Sequence, residues 1–521
     1  MLSCGWGWHL WDGSRFAHYR CVKGLPGRVT GVFAAMDLAM KTSSVLPERA
    51  PCLWVVAVLI CLVLLPTAQA SDLNRDLKAL TAVLQPLEPS VVNAALQQQD
   101  GALRHTEFVR KLYEQREWRA IWVDAASIVS LRAALNVSTA DGLLVDELRP
   151  PGPHDPFSPE ALLSAVEREI LLTDTLVALG DRLRNGRADP RGLAPRDEDF
   201  VAWRDVEPQV MVALSRQLDQ RDIAGVVASM RPNTALYARL RKALASEREA
   251  NTDPALIDTL RVNIERARWI ARAVGDVDRI EVNIPAYTST LYLDGENVWQ
   301  ERVIVGKPDR RTPVFVSLMD HVVLDPTWTV PRSIIKDRLL DQASADPAGF
   351  SNQGFQLRDV QGAWHDPTDI DWSRYSADSL PYDMVQMPGS NNALGRVKFM
   401  FANPYAVYLH DTPSRGLFDR DKRALSHGCV RVDDPDGLTR LILGRRGELD
   451  QQAIAELYAD GDNIPVDLTA PLPVALLYWT VDIDEDGNYV HFDDIYGRDA
   501  EVLKALNEAP QHRSWTTATL P

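Results

Sequence analysis

The hydrophobic period of this 521-residue chain changes near residue 280, so neither an all-helical nor an all-β fold can hold the whole of it. Upstream, apolar residues recur every three or four positions. Leu73, Leu77, Leu80, Val83 and Leu84 fall on one helix face. Phe108, Leu112 and Tyr113 repeat the spacing, with Trp118 and Trp122 just beyond, and 170–183, 210–218 and 235–244 continue it. A polar connector at 246–253 leads to Asp253-Pro254, which opens a helix with Asp as N-cap and Pro in the first turn. Leu256, Leu260, Ile264, Ala267 and Ala271 mark its buried face. Downstream the pattern alternates. Residues 280–284, 288–293 and 298–305 predict strands, with Asp294-Gly295 as a hairpin turn. Further strands are expected at 314–316, 321–324, 397–401, 406–410, 470–482 and 489–492, and a helix at 434–443 ending at Gly444. Residues 326–395, rich in Pro, Gly, Asp and aromatics around a short helix at 333–342, read as an excursion from the sheet. The expected fold class is α+β: a helical domain over 71–253, a mostly β domain over 254–502 with a capping segment at about 333–395, and a C-terminal tail at 503–521.

The N-terminal seventy residues stand apart. A continuous apolar run fills 52–65, and Ala68-Gln69-Ala70 gives the small-x-small pattern of a signal-peptidase site. Fourteen residues are short for a membrane span and suit a signal peptide. This predicts export to the periplasm with cleavage after residue 70; an uncleaved inner-membrane anchor is the competing reading. Met40-Lys41 would make a conventional start, leaving 1–39 as an overlong extension. The formal charge is −16, and the first seventy residues are net basic, so the remainder is more acidic still. Nucleic acid is excluded as the expected partner, because phosphate binding needs a basic surface.

Export also changes the cysteine arithmetic. The cysteines are Cys4, Cys21, Cys52, Cys61 and Cys429, and cleavage would leave Cys429 alone. A sole cysteine in an oxidising compartment forms no internal disulfide, which points to a reactive thiol. It sits in Ser426-His427-Gly428-Cys429-Val430-Arg431, and His410 lies nineteen positions upstream at the end of a strand. A thiol beside a histidine is the recipe for an activated nucleophile. Gly428 permits a tight turn in which the amides of His427, Gly428 and Cys429 point at one spot, as an oxyanion hole requires. Arg431, two residues on, shares a strand face with Cys429 and suits a substrate carboxylate. Two other readings compete. His410, Asp411, His427 and Cys429 could be zinc ligands, although the His-x-Cys spacing is not a usual zinc pattern. A purely structural histidine–cysteine pair is the other. No metal or cofactor is expected.

These residues resemble the signature of the L,D-transpeptidase (YkuD-type) catalytic domain, a histidine, a spacer and Ser/Thr-His-Gly-Cys; the spacer 411–425 has fifteen residues here. Val305-Gly306-Lys307-Pro308, Trp328-Thr329-Val330-Pro331, Asn392-Ala393-Leu394-Gly395 and His410-Asp411-Thr412-Pro413 are similar to the YcbB-like periplasmic subgroup. The likeness is strong over about 255–500 and weaker over 71–245, where Trp118–Trp122 and Asn185-Gly186-Arg187 resemble that subgroup's helical scaffold. The short connector before Asp253 leaves no room for the peptidoglycan-binding insert that the subgroup commonly carries. The resemblance implies a thioester acyl-enzyme on Cys429, His410 as base, release of D-alanine from a tetrapeptide stem and a 3→3 peptidoglycan cross-link. It also implies stem-peptide binding by Ser426, Tyr408 and Trp328, covalent inhibition by carbapenems, and cell-wall synthesis proteins as partners. For Tyr408 and Trp328, plain packing is the rival role. An L,D-carboxypeptidase, a protein-to-peptidoglycan tethering enzyme and a non-catalytic wall-binding scaffold remain as alternatives. The third partner of His410 is open between the Asp411 side chain and a backbone carbonyl.

Overall fold

The computed structural model describes residues 86–508, apart from 100–102, 151–153, 159–160, 194–197, 200–207, 275–276, 448, 462 and 485. The apolar run at 52–65, the cleavage point after residue 70, the amphipathic segment at 71–84 and residues 509–521 lie outside the described residues.

The helical part is built around α1 (Ala165–Asn185), which opens with a capping box between Ser164 and Glu167. Its middle, from Glu169 to Asp181, is wholly buried. Buried Glu169 accepts hydrogen bonds from the Ile121 amide (2.5 Å), the Trp122 amide (3.2 Å) and the Tyr113 hydroxyl (2.9 Å). That carboxylate fastens the tryptophan-bearing segment 118–122 to the bundle. α1 stops at Gly186, whose φ of 79° is open to glycine. A Cβ there would fall 2.4 Å from a Glu265 carboxylate oxygen. Glu265 belongs to α2 (Pro254–Val274). It accepts from the Ala188 amide (2.6 Å), from the Arg187 amide and from Arg268 (2.6 Å). Arg187 in turn binds Glu147 (2.8 Å) and the Ala505 carbonyl (2.8 Å). The Asn185-Gly186-Arg187 turn is thus the joint between the bundle, α2 and the C-terminal helix Asp499–Asn507.

The β part contains β1 (Glu198–Asp199), β2 (Arg279–Asn283), β3 (Thr288–Leu293), β4 (Glu296–Gly306), β5 (Val314–Leu324), β6 (Trp328–Thr329), β7 (Phe355–Arg358), β8 (Trp364–His365), β9 (Asp383–Gln386), β10 (Val397–Phe401), β11 (Leu409–His410), β12 (Ala424–Ser426), β13 (Val430–Val432), β14 (Ile464–Leu477), β15 (Val481–Ile483) and β16 (Tyr489–His491). The main sheet runs β5-β10-β11-β13-β4-β3-β2-β14, and β14 also pairs β5, closing it into a barrel. Val282, Leu291, Val305, Val322, Phe399, Leu409, Val430 and Val474 fill its core. The excursion forms a second sheet, β6-β9-β7-β8, over its own core of Trp328, Phe350, Phe355, Leu357 and Met384.

Several elements differ from the pattern-based expectation. Residues 314–324 form one strand, with Met319 buried opposite Phe401 and Leu318 facing out, and a bulge in the pairing with β10 shifts the inward phase before Val322. β14 starts at Ile464, before residue 470, and carries Pro465, Pro471 and Pro473. Gly444 lies inside the helix Pro435–Arg446 and does not end it. Residues 406–408 are not strand: Ala406 has a φ of 54°, and the Asn403 side chain binds both the Val407 amide and its carbonyl. The helix Gln451–Asp460 is missed by the pattern-based reading, although Asp450 as N-cap and Gly461 just past its end mark it. The C-terminal helix runs into residues expected as tail, with Val502 and Leu506 buried.

Glu265 and Arg268 are both fully enclosed. Glu265→Ala would strand the Arg268 charge and two amides, so chemical denaturation should show a loss of about 3–5 kcal/mol. An unchanged midpoint would mean that the joint contributes nothing.

Candidate active site

The site is set by the register of three short strands. Lys398 on β10 pairs with His410 on β11, and His410 pairs with Arg431 on β13. Directly paired residues share a sheet face, so these three side chains stand in a row. Their chain neighbours Phe399, Leu409 and Val430 point the other way, into the core. One step along, the Val430 amide donates to the Tyr408 carbonyl at 3.1 Å, which sets Cys429 beside Tyr408.

Cys429 is a free, half-buried thiol whose Sγ–H lies 3.8 Å from the Ala406 carbonyl. The Tyr408 hydroxyl interacts with both the sulfur and the Trp328 indole. His410 is buried, and its Nδ1 lies 2.5 Å from the Asp411 carbonyl oxygen. A carbonyl only accepts, so Nδ1 carries the proton and Nε2 keeps its lone pair for base chemistry. The backbone carbonyl is therefore the third partner of His410. The Asp411 carboxylate is engaged elsewhere. It accepts from the amides of Arg396 (2.8 Å) and Thr412 (2.5 Å) and from Arg415, which fixes the peptide that presents the carbonyl. No hydrogen bond joins His410 to the Cys429 thiol in this state.

The turn before Cys429 is held from inside. Gly428 has a φ of 117°, and its amide donates to the Ser426 hydroxyl at 3.1 Å. Ser426 Oγ donates to the Cys429 carbonyl at 2.6 Å. The Thr312 hydroxyl donates to the Gly428 carbonyl at 2.8 Å and accepts from the Gly306 amide at 2.8 Å. The geometry corrects three expectations. Ser426 is buried and positions the turn, with no free group for a stem peptide. The Gly428 amide is engaged, which leaves the amides of His427 and Cys429 without a hydrogen bond among the described residues and available to an oxyanion. Trp328 is likewise not a groove residue. It is buried in the core of the second sheet and meets the site only through Tyr408. Asp337, in the π-turn Ile335–Leu339, binds Arg310 at 3.0 Å and lies 3.6 Å from His427 Nε2, tying the excursion to the catalytic turn. Among the described residues no group of His, Cys, Asp and Glu is placed to hold a metal ion.

Residues 277–459 match the L,D-transpeptidase catalytic domain (YkuD), and residues 107–244 match the scaffold domain. The chain carries a YkuD-type L,D-transpeptidase catalytic domain behind a scaffold domain. A Haemophilus influenzae protein named "Putative L,D-transpeptidase" is 29% identical over 446 residues, which is 84% of this chain and 88% of the relative. Two solved structures are more distant. The L,D-transpeptidase from Mycobacterium smegmatis is 18% identical, with 39% of this chain and 59% of that one covered and a TM-score of 0.19. The catalytic domain from the E. faecium L,D-transpeptidase acylated by ertapenem is 15% identical, with 37% and 98% covered and a TM-score of 0.16. The chain spans less than two thirds of the mycobacterial protein.

Within this L,D-transpeptidase domain the electrostatics favour neutral partners at rest. Burial, then the Arg431 guanidinium and the Lys398 ammonium, hold His410 down to about 3, against the opposing effect of the Asp411 carbonyl. Burial pushes the Cys429 thiol up, and the pull of Tyr408, Arg431 and Lys398 does not reverse it. Burial also lowers Lys398 and Arg431, each partly offset by Cys429. Lys398 is the residue that sequence reasoning missed as a site member. Nothing local marks it; only the β10–β11 register brings it to His410.

A raised thiol and a depressed imidazole predict a pH profile. Iodoacetamide alkylation of the resting enzyme should rise with pH through a midpoint above the ordinary thiol value of 9.0. A plateau of fast alkylation already present at about pH 6 would instead reveal a preformed thiolate–imidazolium pair.

Proposed function

We propose that this L,D-transpeptidase domain forms 3→3 cross-links between peptidoglycan tetrapeptide stems in the periplasm. The observation that carries the reading is a free, half-buried thiol that shares a sheet face with a buried histidine whose tautomer leaves Nε2 as base, next to two amides without a hydrogen bond among the described residues. Those are the parts that acyl transfer to and from sulfur needs.

The steps follow from the neutral resting state. Cys429 gives its proton to His410 Nε2 as sulfur bonds to the carbonyl carbon of the third stem residue. The amides of His427 and Cys429 receive the oxyanion. Its collapse breaks the C–N bond, and His410 returns the proton to the leaving amine of D-alanine. Arg431 and Lys398 make an imidazolium unfavourable, which drives that return. The side-chain amine of a second stem then attacks the thioester, its proton passes through His410, and the C–S bond breaks to restore the thiol. Water in place of the amine would give a carboxypeptidase, and a protein lysine would give a tethering enzyme.

The purified protein incubated with disaccharide tetrapeptides should yield a cross-linked dimer and free D-alanine by mass spectrometry, and Cys429→Ala should yield neither while keeping its unfolding midpoint. Tripeptide alone would replace the cross-linking reading with hydrolysis, and binding without turnover would leave a scaffold. A carbapenem should add to the wild type as one covalent adduct, as ertapenem acylates the E. faecium domain. Intact mass should show it on wild type and not on Cys429→Ala; an adduct on both would remove Cys429 as the nucleophile.

A further inference from the structure

Lys398 has no role in the reading so far beyond its effect on His410, yet its environment is unusual. It is half-buried in the row Lys398–His410–Arg431, and its Nζ lies 4.8 Å above the ring of Tyr408, whose hydroxyl interacts with the Cys429 sulfur. Neither Lys398 nor Arg431 forms an ion pair with a carboxylate among the described residues, and Arg431 Nε is buried without a partner. Two partly desolvated cations with no anion are costly, and an anion that forms or arrives at the site would offset that cost. The ionisable group that both of them act on is Cys429.

We propose that Lys398 is a charge-stabilising residue of the active site, its ammonium acting with Arg431 to favour the Cys429 thiolate as the proton leaves. His410 cannot fill that part, because the same two cations oppose an imidazolium beside them. The other groups around the sulfur do not duplicate Lys398. From β11 and the residue before it come neutral His410 and Tyr408, and the turn before Cys429 contributes His427, which burial holds below the ordinary imidazole value and which lies 3.6 Å from Asp337. From the excursion, exposed Arg338 acts on Arg431 and His427, and Asp337 is held by Arg310. Arg302 shares the sheet face that carries the thiol but is paired with Asp433, so Lys398 and Arg431 are the cations beside the thiol without a carboxylate partner among the described residues, and Lys398 is the one that also packs on Tyr408.

The inference rests on Cys429 being the nucleophile, but its test needs no substrate. Iodoacetamide alkylation of Cys429, followed by intact mass across pH on the whole protein, reads the thiolate population directly. Lys398→Met keeps the apolar stem over Tyr408 and removes the charge. It should slow alkylation at about pH 8 by roughly tenfold and move the midpoint upward, while Lys398→Arg should recover the rate to within about threefold. A rate and midpoint unchanged in Lys398→Met would overturn the proposal and leave Lys398 as packing for Tyr408. Should that variant fail to fold by circular dichroism, Lys398→Gln carries the same two outcomes. Cross-linking measured in parallel separates this idea from the function. Normal alkylation shifts without any cross-linking in the wild type would remove the transpeptidase reading alone.

Discussion

The parallel pairing of β11 with β13 is the constraint on which the active site depends. It is only two residue pairs long, Leu409 with Val430 and His410 with Arg431. Because strand side chains alternate, this one register decides six placements together. Leu409 and Val430 go into the barrel core, and Tyr408, His410, Cys429 and Arg431 are left on the opposite face. A slip of β11 by one residue would turn His410 into the core and Leu409 to the opposite face. So short a pairing cannot hold its own register. β10 and β4, on either side, hold it through the closed barrel, and the barrel closes only because β14 reaches both β2 and β5.

Around that pairing, polar groups within the domain are engaged structurally so that a few others are left free. The Asp411 carboxylate looks from sequence like the acid of a triad. It binds two amides and Arg415, and what reaches the imidazole is the carbonyl of the same residue. A neutral carbonyl orients the ring as well as a carboxylate would, but it adds little stabilisation to an imidazolium. That agrees with a base flanked by two cations. Ser426 and Thr312 play a similar part in the catalytic turn. Each satisfies a backbone group of Gly428 or Cys429, and the amides left over are those of His427 and Cys429.

The division between what the chain's sequence shows and what it hides follows the range of the interactions. The change of period near residue 280 marks the real passage from bundle to barrel, since both patterns are local. Cys429, His410 and Gly428 are legible because their chemistry is tied to residue type and spacing. Ser426 and Trp328 are misread from sequence for a different reason. A serine or tryptophan beside a nucleophile suits a substrate contact and a structural contact equally, and burial alone separates the two. Lys398 and Thr312 are invisible as site members, because strand register and a loop crossing bring them to the turn from far along the chain. The unbroken strand at 314–324 shows the same limit, since Met319 takes its place from a partner strand and not from its chain neighbours.

The excursion bears on the acceptor through two attachments of different kinds. Trp328 is rooted in the core of the second sheet and ends on the Tyr408 hydroxyl, so it moves only if that core moves. Asp337 sits in a π-helical turn, where it holds Arg310 through an exposed, individually weak ion pair and lies 3.6 Å from His427, whose burial disfavours the charged ring. The strong attachment is next to the sulfur and the weak one is at the catalytic turn. In the proposed reaction, opening at Asp337 would admit a stem peptide while Trp328 stays rooted in its core. A proposed acyl-enzyme screened on the Trp328 and Tyr408 side would then keep water from the thioester until an amine entered by the other.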